Sequence, residues 1–366
     1  MERLPQFIYL DSKIVGTAKQ IATFFEEGIF ASETTVLIKK YKHKSAKQIA
    51  AIFRLHGIAY RFVLAQDLDT LPKGVMFYPF NAQSNCRAVA NRHLTHIFIT
   101  HGESNKAASV KPIIRIYDYV LTAGQAGIDR FLAHGIFSQH DVDSGRLITA
   151  GDTFIGKTGL SKQGKKCIFY APTWEGGIEQ ENYSSLAYWQ QVAERIIQKV
   201  VEYQIDTLVI RSHPNTGHRL AYYQENLFQL AKTCMQHNLK VIAYQPNLAL
   251  SLFQQWKWKK LGIKFSSNLK DFQAVFALCD VSAIETQLLN EDISYELFYP
   301  AYQSTMAIPN LNVYHEVAPM DIQAAWLSLH DAAQHKIYWI NTHFEQMALS
   351  NRITFLINQL SQYERN

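Results

Sequence analysis

At 366 residues and 48% hydrophobic side chains, the chain is long enough for two cores, because single cores rarely grow past about 250 residues. A formal net charge of +5 suits an anionic substrate or a lipid surface better than a DNA duplex. Cys86, Cys167, Cys234 and Cys279 stand far apart with no Cys-x-x-Cys pair, which argues against a disulfide framework or a zinc site, and no apolar run approaches the length of a membrane-spanning helix.

Strand-like and helix-like patterns alternate from the start: a strand at Phe7–Leu10, a helix over Ala18–Glu26, a strand at Val36–Ile38, a helix over Ser45–His56 and a strand at Tyr60–Leu64. Further strands are expected at Val75–Tyr78, Ile97–Thr100, Tyr119–Thr122 and Leu147–Thr149, with a helix over Gln125–His134. These elements make one doubly wound domain. The stretch Gly156–Lys166 is rich in glycine and lysine and reads as a linker, which puts the boundary near residue 160.

The alternation then restarts with a strand at Cys167–Tyr170, a helix over Ser185–Tyr203, a strand at Leu208–Ile210, a helix near Leu220–Gln236 and a strand at Val241–Tyr244. Phe272–Leu278, Val281 and Ile284–Leu289 read as helix, short strand and helix before a strand at Tyr295–Phe298. From Asp321 onward the pattern is helical. The expected fold class is α/β, with two Rossmann-like domains facing a central cleft and C-terminal helices packing back on the first. Residues 1–160 form the first domain, 161–335 the second and 336–366 the returning helix.

Four segments concentrate chemistry where such sheets hold ligands, at the carboxyl ends of strands. His101-Gly102-Glu103-Ser104-Asn105-Lys106 and Arg211-Ser212-His213-Pro214 each follow a buried-strand pattern and each bring a histidine to its end. An imidazole there can take a proton from a hydroxyl or, once charged, bind phosphate oxygens. Tyr170-Ala171-Pro172-Thr173-Trp174-Glu175-Gly176-Gly177 runs a strand into a turn that presents amides and hydroxyls. Asp280-Val281-Ser282-Ala283-Ile284-Glu285-Thr286 passes into a helix whose first turn carries hydroxyls, which serves equally as an anion site or as a plain cap.

These motifs, in this order, resemble those of the bacterial CDP-glycerol glycerophosphotransferases of teichoic-acid and capsule synthesis. The correspondence runs through His101-Gly102, Gly151-Asp152, Ala171-Pro172-Thr173, His213-Pro214 and Asp280-Val281-Ser282-Ala283, with Ala283 where that family usually has a second serine. The resemblance spans about residues 95 to 300. It implies a GT-B-like pair of Rossmann domains, acceptor domain first and nucleotide-donor domain second. It further implies CDP-glycerol as donor, a saccharide acceptor, lipid-linked in that setting, and transfer of glycerol phosphate; no cofactor is expected, and no metal cluster is evident in the residues.

On that reading an acceptor hydroxyl attacks the distal phosphorus and CMP leaves, so one oxygen must lose its proton while others are neutralised. His101 is expected as the base, with Gly102, Ser104 and Lys106 on the acceptor. Arg211 and a charged His213 face the pyrophosphate; Ser282 and Thr286 add hydroxyl donors; Glu285 accepts from the ribose; Pro172 and Thr173 hold the donor. The first alternative keeps the fold and uses a nucleotide sugar in capsule or lipopolysaccharide synthesis. The second is a non-catalytic member of a polysaccharide assembly complex.

No Gly-x-Gly-x-x-Gly or Walker loop occurs, which weighs against dehydrogenases and kinases, and Asp67-Leu68-Asp69 and Asp141-Val142-Asp143 read as solvated loop acids. Phe253-Gln254-Gln255-Trp256-Lys257-Trp258-Lys259-Lys260-Leu261 and Lys39-Lys40-Tyr41-Lys42-His43-Lys44 join aromatics to lysines. Such mixtures suit peripheral contact with an anionic membrane, or, for the first, a helix that buries its tryptophans. The scattered cysteines fit a reducing, cytoplasmic location, and the opening residues lack a signal-peptide pattern, so any membrane contact is expected to be peripheral. With no large acceptor-tracking domain in these residues, a priming step is favoured over polymerisation.

Overall fold

The computed structural model describes residues 4–363 apart from 14, 41–43, 101, 249, 301–312, 322–323, 342–343 and 345. They form two compact units. One takes the described residues of Met1–Glu103, Val110–Ile155 and Ile337–Asn366, the other those of Ser104–Ser109 and Gly156–Lys336.

Among its described residues the first unit is built on seven strands: β1 (Gln6–Leu10), β2 (Thr35–Lys39), β3 (Tyr60–Val63), β4 (Gly74–Tyr78), β5 (Leu94–Phe98), β6 (Tyr119–Thr122) and β7 (Leu147–Thr149). They lie in the order β3-β2-β1-β4-β5-β6-β7, all parallel. Alternation along β1 shows why a continuous apolar run was needed: Ile8 and Leu10 enter one core, while Phe7 and Tyr9 enter the core on the opposite face. The helix Leu349–Tyr363 closes the first of these cores with Ile353, Leu356, Ile357 and Leu360. The chain's end thus returns to its beginning, as expected.

Among its described residues the second unit holds eight strands: β8 (Lys165–Ala171), β9 (Thr207–Ile210), β10 (Lys240–Tyr244), β11 (Lys264–Ser266), β12 (Phe272–Asp280), β13 (Tyr295–Pro300), β14 (Tyr314–Asp321) and β15 (Ala324–Leu329). Their order is β11-β10-β9-β8-β12-β13-β15-β14, parallel from β11 through β13, with β15 and β14 antiparallel at one edge. Both units are therefore Rossmann-like, and the fold class read from the alternation holds.

Three local expectations are corrected. Phe272–Leu278 is not a helix but most of β12, because its apolar residues pair with β8 on one side and β13 on the other. A short apolar run carries no period that separates a buried helix from a buried strand. Ala324–Leu329 is likewise a strand: its helix-forming composition is overridden by pairing with β13 and β14. The stretch read as a linker is docked, with Thr158 buried and its amide donating to Glu291 Oε1 at 2.8 Å, and Lys165 and Lys166 already belong to β8.

Candidate functional site

Strand order in the second unit reverses between β8 and β12: successive strands run one way from β8 through β11, then resume on its other side at β12. The carboxyl ends of the two strands flanking such a reversal splay their loops apart, which makes the gap between them the default ligand position. Here one bond spans it. The Thr173 amide, just beyond β8, donates to Oδ2 of Asp280, the last residue of β12, at 2.7 Å, and the Ser185 amide donates to the same oxygen at 3.2 Å. Asp280 is fully buried, and burial pushes its carboxyl up to about 7 against the pull of Ser185, the Thr173 amide and Lys106.

Lys106 arrives from the distant loop segment Ser104–Ser109. Its Nζ donates to Thr173 Oγ1 at 2.8 Å and lies 5.4 Å from the centroid of the Tyr183 ring, while the Tyr183 hydroxyl accepts from the Ala107 amide at 3.2 Å. Burial lowers the ammonium to about 8, opposed by Asp280 and Glu181, so it is charged at pH 7. The expectation that Ser104 and Lys106 belong with the first domain's acceptor site is corrected, since both are part of the second unit. Ser104 Oγ bonds Ser109 Oγ at 3.1 Å.

The loop after β9 supplies the next groups. The His213 amide donates to Pro172 O at 3.2 Å, which ties this loop to the end of β8 and gives Pro172 a positioning role. The Asn215 amide donates to His213 Nδ1 at 3.1 Å, so the neutral ring carries its proton on Nε2. Burial, with the charges of Lys106 and Arg211, holds His213 down at about 3. Burial and these two cations favour the uncharged ring, an Nε2–H donor, over the charged imidazole drawn from the sequence. Trp174 stacks on it at 5.7 Å between centroids and 16° between planes.

Arg211 Nη1 donates to Thr158 O at 3.0 Å and to Gln287 Oε1 at 3.3 Å, and burial lowers its pKa. Glu175, fully buried, takes the Gly217, Arg219 and Leu220 amides on its two oxygens and so shapes the loop that follows His213. Gly176, at φ +71°, permits the return of this turn, where a Cβ would stand 2.5 Å from Glu181 O.

The residues opening the helix Ala283–Asn290 include the cap that was one of the two readings of this segment. Ser282 is its cap, accepting from the Ile284 amide at 3.4 Å, and Thr286 Oγ1 donates to Ala283 O at 3.0 Å. Glu285 is buried, and its Oε1 accepts from the phenols of Tyr314 and Tyr295. Burial pushes it up to about 7, against both phenols. The sequence reading had Glu285 accept from the ribose; here its Oε1 is taken by the two phenols and the residue is buried.

In the first unit His101 lies outside the described residues. Its neighbours are tightly set: Thr100 has φ +58°, Gly102 has φ +132°, and Thr100 Oγ1 donates to Gly102 O at 2.9 Å. Glu103, two residues on, is buried against Arg130 at 2.6 Å and accepts from the Ala123 amide at 3.0 Å, which anchors the loop to β6 and the helix Gln125–Ala133. The acids Asp67 and Asp141 cap chain turns at Leu64 and Ser138.

Reasoning from the sequence did not single out Asp280, Glu175 or Trp174 as working parts. The one signal for Asp280 was an acid closing the apolar run that ends at Cys279.

No family model and no curated protein matches the chain. Among solved structures it is similar to a Listeria monocytogenes protein assigned as a UDP-N-acetylglucosamine 2-epimerase, at 10% identity and TM-score 0.44 over 81% of this chain and 79% of that one. A glycosyltransferase from Rickettsia africae matches at 9% identity and TM-score 0.42 over 84% and 87%. The Anabaena protein HepE, solved with UDP and glucose, matches at 11% and 0.38 over 75% and 74%. Likeness this distant assigns neither activity nor substrate.

Proposed function

We propose that the chain is a transferase acting on a nucleotide-activated donor, and that it moves glycerol phosphate from CDP-glycerol to a hydroxyl of a lipid-linked saccharide as a priming step. The supporting observation is the polar cluster at the β8/β12 reversal, where Thr173 carries Lys106 on its hydroxyl and Asp280 on its amide, next to Arg211 and His213. A buried ammonium, a guanidinium and a neutral N–H donor together match a diphosphate whose leaving half gains charge in the transition state.

In the proposed step the acceptor oxygen bonds to the phosphorus bearing glycerol. The bond from that phosphorus to the bridging oxygen breaks, and CMP departs with the electron pair. His101 takes the hydroxyl proton. Lys106 and Arg211 balance the charge growing on the leaving phosphate, and His213 Nε2–H donates to one of its oxygens. Asp280 positions the Thr173 turn without touching the donor. The Ser282 hydroxyl, already accepting from an amide, keeps its proton for donation.

The same cluster would hold the diphosphate of a nucleotide sugar, so the test is a donor screen. Incubation with CDP-glycerol and with a panel of nucleotide sugars should give CMP release only from CDP-glycerol, and an acceptor heavier by one glycerol phosphate on mass measurement. Turnover of a nucleotide sugar instead would make the chain a glycosyltransferase. Failure to bind or turn over any of these donors would end the proposal.

A further inference from the structure

The helix Leu252–Lys260 is capped by Ser251, whose hydroxyl accepts from the Gln254 amide at 3.2 Å. At about 100° per residue, Leu252, Phe253, Trp256, Lys259 and Lys260 fall within an arc of roughly 120°, with Trp258 on the opposite side. The packing follows that division. Trp258 is buried against Phe228 and Phe265, whereas Leu252 is 85%, Phe253 71% and Trp256 56% exposed. Phe253 and Trp256 stack on each other at 6.0 Å and 25°, and Lys260 Nζ lies 5.1 Å from the Trp256 ring. Lys259 and Lys260 are exposed and pair with no carboxylate among the described residues, while Lys257 pairs with Glu225 at 3.3 Å.

Isolated exposed apolar side chains are ordinary, but three in two turns of one helix form a patch. Its cations decide between occupants. A protein interface that buried the rings would also have to strip water from two ammonium groups lying among them. At a lipid surface the rings enter the headgroup layer while the lysines remain beside lipid phosphates. We infer that the outward face of Leu252–Lys260 docks the protein on an anionic bilayer, with Phe253 and Trp256 inserted and Lys259 and Lys260 on the headgroups. This rests on the helix alone and is independent of the donor chemistry.

The test is vesicle flotation of the full chain with phosphatidylcholine alone and with phosphatidylcholine mixed equally with phosphatidylglycerol. Flotation is expected with the anionic vesicles and weakly, if at all, with the neutral ones. Lys259→Gln and Lys260→Gln should each weaken partitioning about fivefold. Phe253→Ser combined with Trp256→Ser should weaken it about tenfold or more, with circular dichroism and melting temperature unchanged. Equal binding to both vesicles, no binding to either, or full binding by the folded double variant would overturn the inference. So would concentration-dependent self-association that the double variant abolishes while vesicles are ignored, which would make the face a protein interface.

Discussion

His213 and Lys106 share one buried field and settle in opposite states of charge, the imidazole neutral and the ammonium protonated at pH 7. If the Lys106 charge holds the donor, activity should fall as pH rises through about 8, and Lys106→Met should lose that alkaline limb along with about a hundredfold of kcat/KM. A pH-rate profile of both proteins checks it; a limb that survives in Lys106→Met assigns it elsewhere. Asp280 has the opposite linkage from an ordinary ion-paired acid. Its folded pKa of about 7 exceeds the usual 3.8, so the native state keeps a proton that the unfolded chain has lost, and stability declines as pH climbs from about 4 to about 7. Asp280→Asn should therefore gain on the parent across that window by up to about 4 kcal/mol, measured by urea unfolding at a series of pH values. Glu285, raised in the same direction, contributes a decline of the same sign that this variant leaves in place.

The C-terminal segment is held to the first unit by close approach as well as by apolar contact. At Gly124, which precedes the helix Gln125–Ala133, a Cβ would lie 2.7 Å from the Trp339 carbonyl carbon and 2.8 Å from the Asn341 nitrogen, both of them backbone. Gly124→Ala should cost about 1–3 kcal/mol, since neither atom can turn aside as a side chain would. Leu356, 2% exposed in the core around β1, should cost about 2–5 kcal/mol when cut to alanine. Chemical denaturation of the two variants checks both, and a near-neutral Leu356→Ala would show that the last helix is not integral to that core. Elements of this kind were legible as amphipathic or apolar runs. The identity of β12 and β15 was not, because their neighbours in the sheet, not their own residues, made them strands.

The chain passes between its two units at Glu103/Ser104, Ser109/Val110, Ile155/Gly156 and Lys336/Ile337. Neither unit is a continuous piece of sequence. A chain ending at Lys336 keeps every strand among the described residues yet removes Ile353, Leu356, Ile357 and Leu360 from the first core, so the first unit should melt earlier while the second keeps its transition. Calorimetry of the truncated and full chains would show this, and unchanged melting of the first unit would contradict it.

Alternating apolar runs were enough to read two Rossmann-like units, because period and turn chemistry are local properties written residue by residue. Charge state and partnership are not local. Nothing in His101–Lys106 indicates that Lys106 crosses to the second unit, that His213 is stripped of its charge there, or that Glu285 is enclosed by two phenols. Each of these follows from desolvation and from neighbours far away in sequence, which exist only once both sheets have assembled.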